Sequence, residues 1–337
     1  MTTNELLSNE LTQLRSSLFK EITNASFLSE PEAASVWICI APTEYASCTA
    51  MFFYPDEYPQ KPLIVQLKSK NVSEKLLNGI ARLMEEEAVK LVGARQTLAT
   101  LKLLTKFLDD HLFAVCYHEL QTIKSLCESS KCVTLKVKQK TGVLSFTITI
   151  PPFTSHVKLR ITRNYPLEQV IVDQSQDGFK SDLPTYLTKI LINQAVEVAR
   201  KCVEPPLKIN PRDPPFQLQP SLLRVAKFLV FDGIMTYPNS TCLLCNSPIF
   251  PNKLADVVND PKNGMYVERV YCCHLFHYIC LHKLITTPPF NTVKKCPACK
   301  SPIYHERFRE SPQVLQDRWA HKQAKERELD EVVDFLK

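Results

Sequence analysis

Glycine is scarce, with six residues in 337 (Gly79, Gly93, Gly142, Gly178, Gly233 and Gly264). None belongs to a Gly-rich phosphate loop, which argues against a nucleotide-binding enzyme. The chain also lacks any run of 18 apolar residues, so no membrane-spanning helix and no membrane partner are expected. No apolar stretch follows a basic start, so no secretory leader is expected. Net charge is only +6 and dispersed, too little to predict a nucleic-acid partner. What remains, 45% hydrophobic and 23% charged residues, is the composition of an ordinary globular protein with room for two or three domains.

Cysteine, by contrast, is abundant, with 13 residues. Cys39, Cys48, Cys116, Cys127, Cys132 and Cys202 lie in apolar or amphipathic segments and read as reduced core residues of a cytosolic or nuclear protein, not as disulfides. The others concentrate near the C-terminal end. They run Cys242-x2-Cys245, 26 residues, Cys272-x-His274-x2-His277-x2-Cys280, 15 residues, Cys296-x2-Cys299. Zn²⁺ takes thiolate and imidazole ligands and is four-coordinate in structural sites. Eight such donors fill two closed sites and leave no position for a reactive water, so the expectation is two Zn²⁺ per chain in a scaffold, not a zinc hydrolase. Cys273 competes with Cys272 for the third position, with the Cys-x-His spacing favouring Cys272. His282 reads as a solvated helix residue.

This pattern resembles a RING finger of the two-histidine kind, the ubiquitin ligases that recruit a charged ubiquitin-conjugating enzyme. A PHD finger is the nearest other zinc module. It would want two spaced cysteines where Cys272-Cys273 are adjacent, and Trp where Lys294-Lys295 stand. The RING resemblance implies interleaved ligation: Cys242, Cys245, His277 and Cys280 on one zinc, and Cys272, His274, Cys296 and Cys299 on the other. It also implies conjugating-enzyme contacts at Leu244, Leu284 and Pro297, and a ubiquitin contact at Lys300. Two of these depart from the family: Leu284 stands where many members have Trp, and Lys300 where Arg is common. Lysine keeps the charge but loses the planar fork of donors.

Upstream, Leu7, Leu11, Leu14, Leu18 and Ile22 predict a helix over 4–22. Strands are expected at Ser35–Ala41, Cys48–Tyr54 and Leu63–Lys68, with a turn at Ala41–Glu44, and helices near 73–92 and 96–112. Between the last two strands lies Tyr54-Pro55-Asp56-Glu57-Tyr58-Pro59-Gln60-Lys61-Pro62. Its prolines remove backbone donors and force it outside the sheet. The segment and the element order resemble an RWD domain, the non-catalytic relative of ubiquitin-conjugating enzymes. No cysteine lies between Pro62 and Cys116, so the thioester chemistry of an active conjugating enzyme has no nucleophile.

The order recurs. An amphipathic stretch spans 112–127, and whether 96–128 forms one helix or two is left open. Strands follow near 133–137, Val143–Ile150, Val157–Thr162 and Val170–Val172, with a turn at Lys140-Thr141-Gly142. Asn164-Tyr165-Pro166 precedes the last strand, and a helix is expected at 182–202. Six prolines in 205–220 read as a stiff connector, with a short helix over Leu222–Phe231. Ser311-Pro312 starts a mixed-charge helix with a thin apolar stripe of Trp319, Leu329, Val332 and Leu336.

The expected fold class is therefore α+β. The domains are an RWD domain at 1–112, a degenerate RWD-like domain at 113–204, a linker and short helix at 205–238, a RING-type finger at 239–305 and a charged helix at 306–337. The layout resembles RWD–RING ubiquitin ligases of the Fanconi anaemia type, which place two RWD-like units before a RING. The resemblance implies a ubiquitin-protein transferase whose partners are a conjugating enzyme, ubiquitin and a substrate chosen by the RWD-like domains. The other reading is a non-catalytic adaptor working through those domains.

Overall fold

The computed structural model describes residues 3–22, 24–28, 35–43, 45–206, 215–305, 307–308 and 310–336. Part of the expected Pro-rich connector, with Pro211 and Pro214, and Glu44 of the expected turn lie outside the described residues.

The fold is mixed α and β. Helix α1 (Thr3–Glu21) precedes strands β1 (Ala25–Phe27), β2 (Ser35–Ile40), β3 (Cys48–Phe53) and β4 (Ile64–Lys68), which form one sheet in chain order. All neighbours are antiparallel. Alternation sends Val36, Ile38 and Ile40 inward, as the two-residue period of a strand requires. Helices α2 (Glu74–Lys90) and α3 (Thr97–Asp110) follow. Ser73 caps α2 through the N–H of Leu76, with Glu74 in the first turn and Lys90 in the last, matching the helix dipole. Leu77, Ile80, Met84, Leu101, Leu104 and Leu108 from these helices share one core with Leu7, Leu11, Leu14, Leu18 and Ile22 of the α1 segment.

Residues 96–128 are two helices. A 3₁₀ turn at Leu112–Cys116 separates α3 from α4 (Tyr117–Ser129). Strands β5 (Val133–Lys138), β6 (Val143–Ile150), β7 (Phe153–Arg160) and β8 (Ile171–Val172) again lie side by side in chain order, and β9 (Phe179–Ser181) pairs with β7. Strand β7 starts four residues before the sequence suggests, because Pro151-Pro152 turns the chain tightly enough for Phe153 to enter the sheet. Helix α5 (Thr185–Val203) follows, then α6 (Leu222–Ala226), which runs on into a π-helical segment at Lys227–Ile234.

The two sheets are built around the same polar hub. In the first, Tyr58 donates to Glu10 Oε2 on α1 (2.5 Å). Glu10 Oε1 accepts the N–H groups of Gln96 (3.1 Å) and Thr97 (2.9 Å) at the start of α3. The Gln96 side chain accepts from Leu63 N–H (2.9 Å). In the second, Tyr165 donates to Glu119 Oε2 on α4 (2.6 Å) and accepts from Ser221 and Leu222 N–H (both 2.9 Å). Glu119 Oε1 accepts from Leu223 N–H (2.9 Å), and Ser221 Oγ accepts from Val170 N–H (3.0 Å). The Tyr58-Pro59 and Tyr165-Pro166 peptides are both cis.

The first N–H groups of a helix have no partner inside it. Here the residue at each helix start spends its side chain on the residue just ahead of a strand, and a glutamate from a distant helix caps in its place. The segment from α4 to α6 thus repeats the element order and hub of the segment from α1 to α3, with α5 and the Pro-rich segment ahead of its closing helix.

The described residues fall into two compact units, one drawn from Met1–Ile148, His156–Lys180 and Leu191–Phe231, the other from Thr149–Ser155, Ser181–Ile190 and Asp232–Lys337. Within the second, Tyr186 stacks on Tyr266 (4.7 Å between ring centres) and Phe153 meets Phe250 edge-on (5.5 Å). Among the described residues no helix is long and apolar enough to cross a membrane.

Removing either hub carboxylate strands buried donors, each costing about 1–3 kcal/mol. Glu10→Ala and Glu119→Ala should each lower stability by about 2–4 kcal/mol in urea unfolding. Tyr58→Phe and Tyr165→Phe, which leave the carboxylates in place, should cost less than either.

Candidate metal centre

The cysteine-rich region has few strands and those are short, so its shape depends on local turns. Strands β10 (Thr241–Cys242) and β11 (Ser247–Pro248) pair with Cys242 opposite Ser247. The chain between them folds as a tight knuckle in which Asn246 N–H reaches Cys242 C=O (2.7 Å). A second knuckle repeats this at Cys296, where Lys300 N–H reaches Cys296 C=O (2.8 Å). Asn246 and Lys300, each just after a Cys-x2-Cys, hold φ of 56° and 62°. This left-handed conformation lets the chain turn back over its two sulfurs.

Strands β12 (Val267–Arg269) and β13 (Leu275–His277) form a hairpin with Val267 opposite His277. Its turn carries Cys272, Cys273 and His274. His277 ends the hairpin and is the residue before α7 (Tyr278–Thr286), which carries Cys280 in its first turn.

These elements bring the eight Cys and His residues together as two groups of four. Cys242, Cys245, His277 and Cys280 form one, and Cys272, His274, Cys296 and Cys299 the other. Within each group the donor atoms all lie within 4.8 Å of one another, so each could hold a metal ion. Thiolate and imidazole are the donors Zn²⁺ takes. His277 Nδ1 lies 3.3 Å from Cys245 Sγ, while its Nε2 lies 3.1 Å from the Pro248 carbonyl. A proton on Nε2 donated to that carbonyl leaves Nδ1 as the lone-pair nitrogen facing the group, the arrangement that orients metal-binding imidazoles.

The thiols do not ionise alike. Burial, reinforced by neighbouring thiols, pushes Cys272 and Cys280 up to about 12. Ser301 brings Cys299 down to about 6 through its hydroxyl and N–H. Burial raises Cys245, but the Ser247 N–H and the His277 ring outweigh it and bring the thiol to about 6. Four donors around one point cannot all be deprotonated without a cation between them, and a bound metal supplies that cation.

Cys273 is exposed, at φ 72°, and stands outside both groups. His282 is also outside them, with its ring near those of Tyr278 and Phe308. Leu244 is half-buried in the first knuckle, Pro297 half-buried in the second, and Leu284 half-buried on α7. Lys300 is exposed.

One cluster had no signal in the sequence. Glu268, only 5% exposed, pairs with His305 Nε2 (3.0 Å) and with Arg307. Arg307 also donates to Pro261 C=O (2.9 Å) and lies over the Tyr278 ring (4.4 Å). The chain after the last cysteine is thereby tied to β12 and α7. These residues are 37 and 39 positions apart, and no local pattern links them.

No known protein family matches this sequence, and no curated protein is detectably similar to it.

Each group should act as an independent site. Mass-spectrometric metal analysis of freshly purified protein should find two ions per chain, one for each group. Cys242→Ser should remove one and Cys296→Ser the other, while Cys273→Ser should keep both. Structural zinc contributes on the order of 10–16 kcal/mol to folding in small peptide sites, so either ligand variant should also lose the ordered structure of its own knuckle.

Proposed function

We propose that this protein is a RING-type ubiquitin ligase with tandem RWD-like domains, holding two Zn²⁺ and working in the cytoplasm or nucleus. The observation that carries the reading is the interleaved arrangement of the two donor groups. The first and third donor pairs of the sequence belong to one group and the second and fourth to the other, with His277 joining hairpin to helix. Both groups are complete with protein donors, which supports a scaffold over a metal catalyst. The repeated helix, four-strand meander and Tyr-Pro segment supports the RWD-like part.

The protein supplies no nucleophile. A charged conjugating enzyme docks against Leu244, Leu284 and Pro297, and Lys300 steadies the attached ubiquitin. Catalysis is then by positioning, which at its limit is worth roughly 7–11 kcal/mol. Apolar side chains beside a rigid metal site are otherwise poor for solubility, and Leu243, 47% exposed, extends that surface. The RWD-like domains select the substrate. Trp37, Phe53 and Ile64 leave exposed apolar surface on β2, β3 and β4, a feature suited to protein docking.

A specific observation favours a second reading, that of a non-catalytic adaptor. Leu284 and Lys300 replace the larger Trp and the forked Arg that many RING fingers carry, and both changes weaken contact with a conjugating enzyme.

Ubiquitin discharge from a panel of charged conjugating enzymes separates the two. Leu244→Ala should reduce stimulated discharge at least about tenfold, the loss of a contact worth about 1.4 kcal/mol, with metal content unchanged. Lys300→Ala should weaken discharge with little effect on docking. Lys300→Arg should preserve or raise it, since guanidinium bridges two acceptors at once and the backbone at φ 62° meets the same demand from either side chain. A wild type inert toward the whole panel, and not rescued by Lys300→Arg, selects the adaptor.

A further inference from the structure

Helix α8 (Pro312–Leu336) is 25 residues long and buries none of its described side chains. Helices in proteins draw most of their stability from packing an apolar face, so a helix this long without one is incomplete. Its sequence has a face to offer. Leu315, Trp319, Lys322, Glu326, Leu329, Val333 and Leu336 recur at alternating steps of four and three, the 3.5-residue spacing of a coiled-coil seam. The seam is apolar at both ends and charged in the middle. Leu329 and Leu336 are 64% and 76% exposed. Leu315 and Trp319 border a groove of about 840 Å³ between α7 and α8, walled also by Tyr278 and Phe308.

Charge along the helix is segregated as well. Arg318, Lys322, Lys325 and Arg327 lie in its middle, and from Glu328 to Leu336 there are four carboxylates and no cation. An acidic run of this kind is complemented by a cationic surface laid against it. The groove carries such a surface in Lys283, Arg318 and Lys322, although Glu310 and Glu326 also line it and pair with Arg318 and Lys322 (the latter at 3.7 Å).

The seam is complementary to itself when reversed. Turned antiparallel about Ala324, Lys322 meets Glu326, Trp319 meets Leu329 and Leu315 meets Val333. The far end of one helix then lies along the groove of the other. A parallel pair in register would instead set Lys322 on Lys322 and Glu326 on Glu326. The far end cannot fill its own groove, because α8 is one uninterrupted helix. We infer that α8 is the interface for a second copy of this chain, an isologous antiparallel helix pair centred on Ala324 in which each copy's Leu329–Leu336 end covers the groove beside Leu315 and Trp319 of the other. This goes beyond the ligase reading and stands without it.

Sedimentation and light scattering of the full chain test it. The wild type should be a dimer at micromolar concentration. Lys322→Glu alone and Glu326→Lys alone each place like charges at both central layers, and each should weaken association by at least about tenfold. Mixed in equal amounts, these two variants restore opposite charges at both layers and should form a heterodimer. The double variant Lys322→Glu/Glu326→Lys should pair with itself, which separates a lost interface from a weakened helix. Helix content by circular dichroism and metal content should match wild type throughout. A monomeric wild type overturns the inference, as does a mixture that associates no better than the single variants.

Discussion

A buried N–H at the start of a helix must find an acceptor, and this requirement organises the first two-thirds of the chain. Twice, the closing helix of a repeat begins with its own cap residue committed elsewhere, Gln96 to Leu63 and Ser221 to Val170. Twice, a glutamate from the opening helix and a tyrosine from the Tyr-Pro segment supply the missing acceptors. The hub therefore ties together three parts of each repeat that are distant in sequence. It also accounts for an ionisable side chain at Glu10 on an otherwise apolar helix face, since a carboxylate accepts several hydrogen bonds at once. Burial raises the Glu119 carboxyl, while the Leu223 N–H and the Tyr165 hydroxyl pull it back toward its ordinary range.

The C-terminal third solves a different problem. Its strands are two or three residues long, too short to be stable on ladder bonds alone. Two knuckles, one hairpin and one helix each bring donors to shared points, and donor groups of this composition bind metal strongly enough to substitute for an apolar core. The buried Glu268, held by His305 and Arg307, then fastens the chain beyond the last donor to the same framework. Leu244 and Pro297 each sit inside a knuckle, and Leu284 lies on the helix that carries Cys280.

Much of this was legible in the residues. The steps of three and four from Leu7 to Ile22 pointed to a helix with those five residues inward, and all five are buried. The spacing of cysteines and histidines marked a metal region because few other uses explain eight such donors in pairs. The hub glutamates were not legible. In sequence, Glu10 and Glu119 look like any charged residue of an amphipathic helix, and only the arrival of a distant helix start distinguishes them from solvated glutamates. Strand β1 was also missed, since Ala25–Phe27 is three residues long and carries no alternation to read. The break between α3 and α4 could not be placed because Asp109-Asp110-His111 suits a solvated face as well as a helix end.

The sequence by itself determined most of the pattern of elements and the set of candidate metal donors, because these follow from side-chain period and ligand chemistry over short distances. The tertiary structure brings the donors into the two interleaved groups that the resemblance implied, with Cys272 in the place the Cys-x-His spacing favoured, and it alone decided that both repeats close on the same Tyr–Glu hub. It also decided that α8 leaves Leu329, Val333 and Leu336 exposed. Each of these depends on segments tens of residues apart meeting in space, and local propensity carries no information about such meetings.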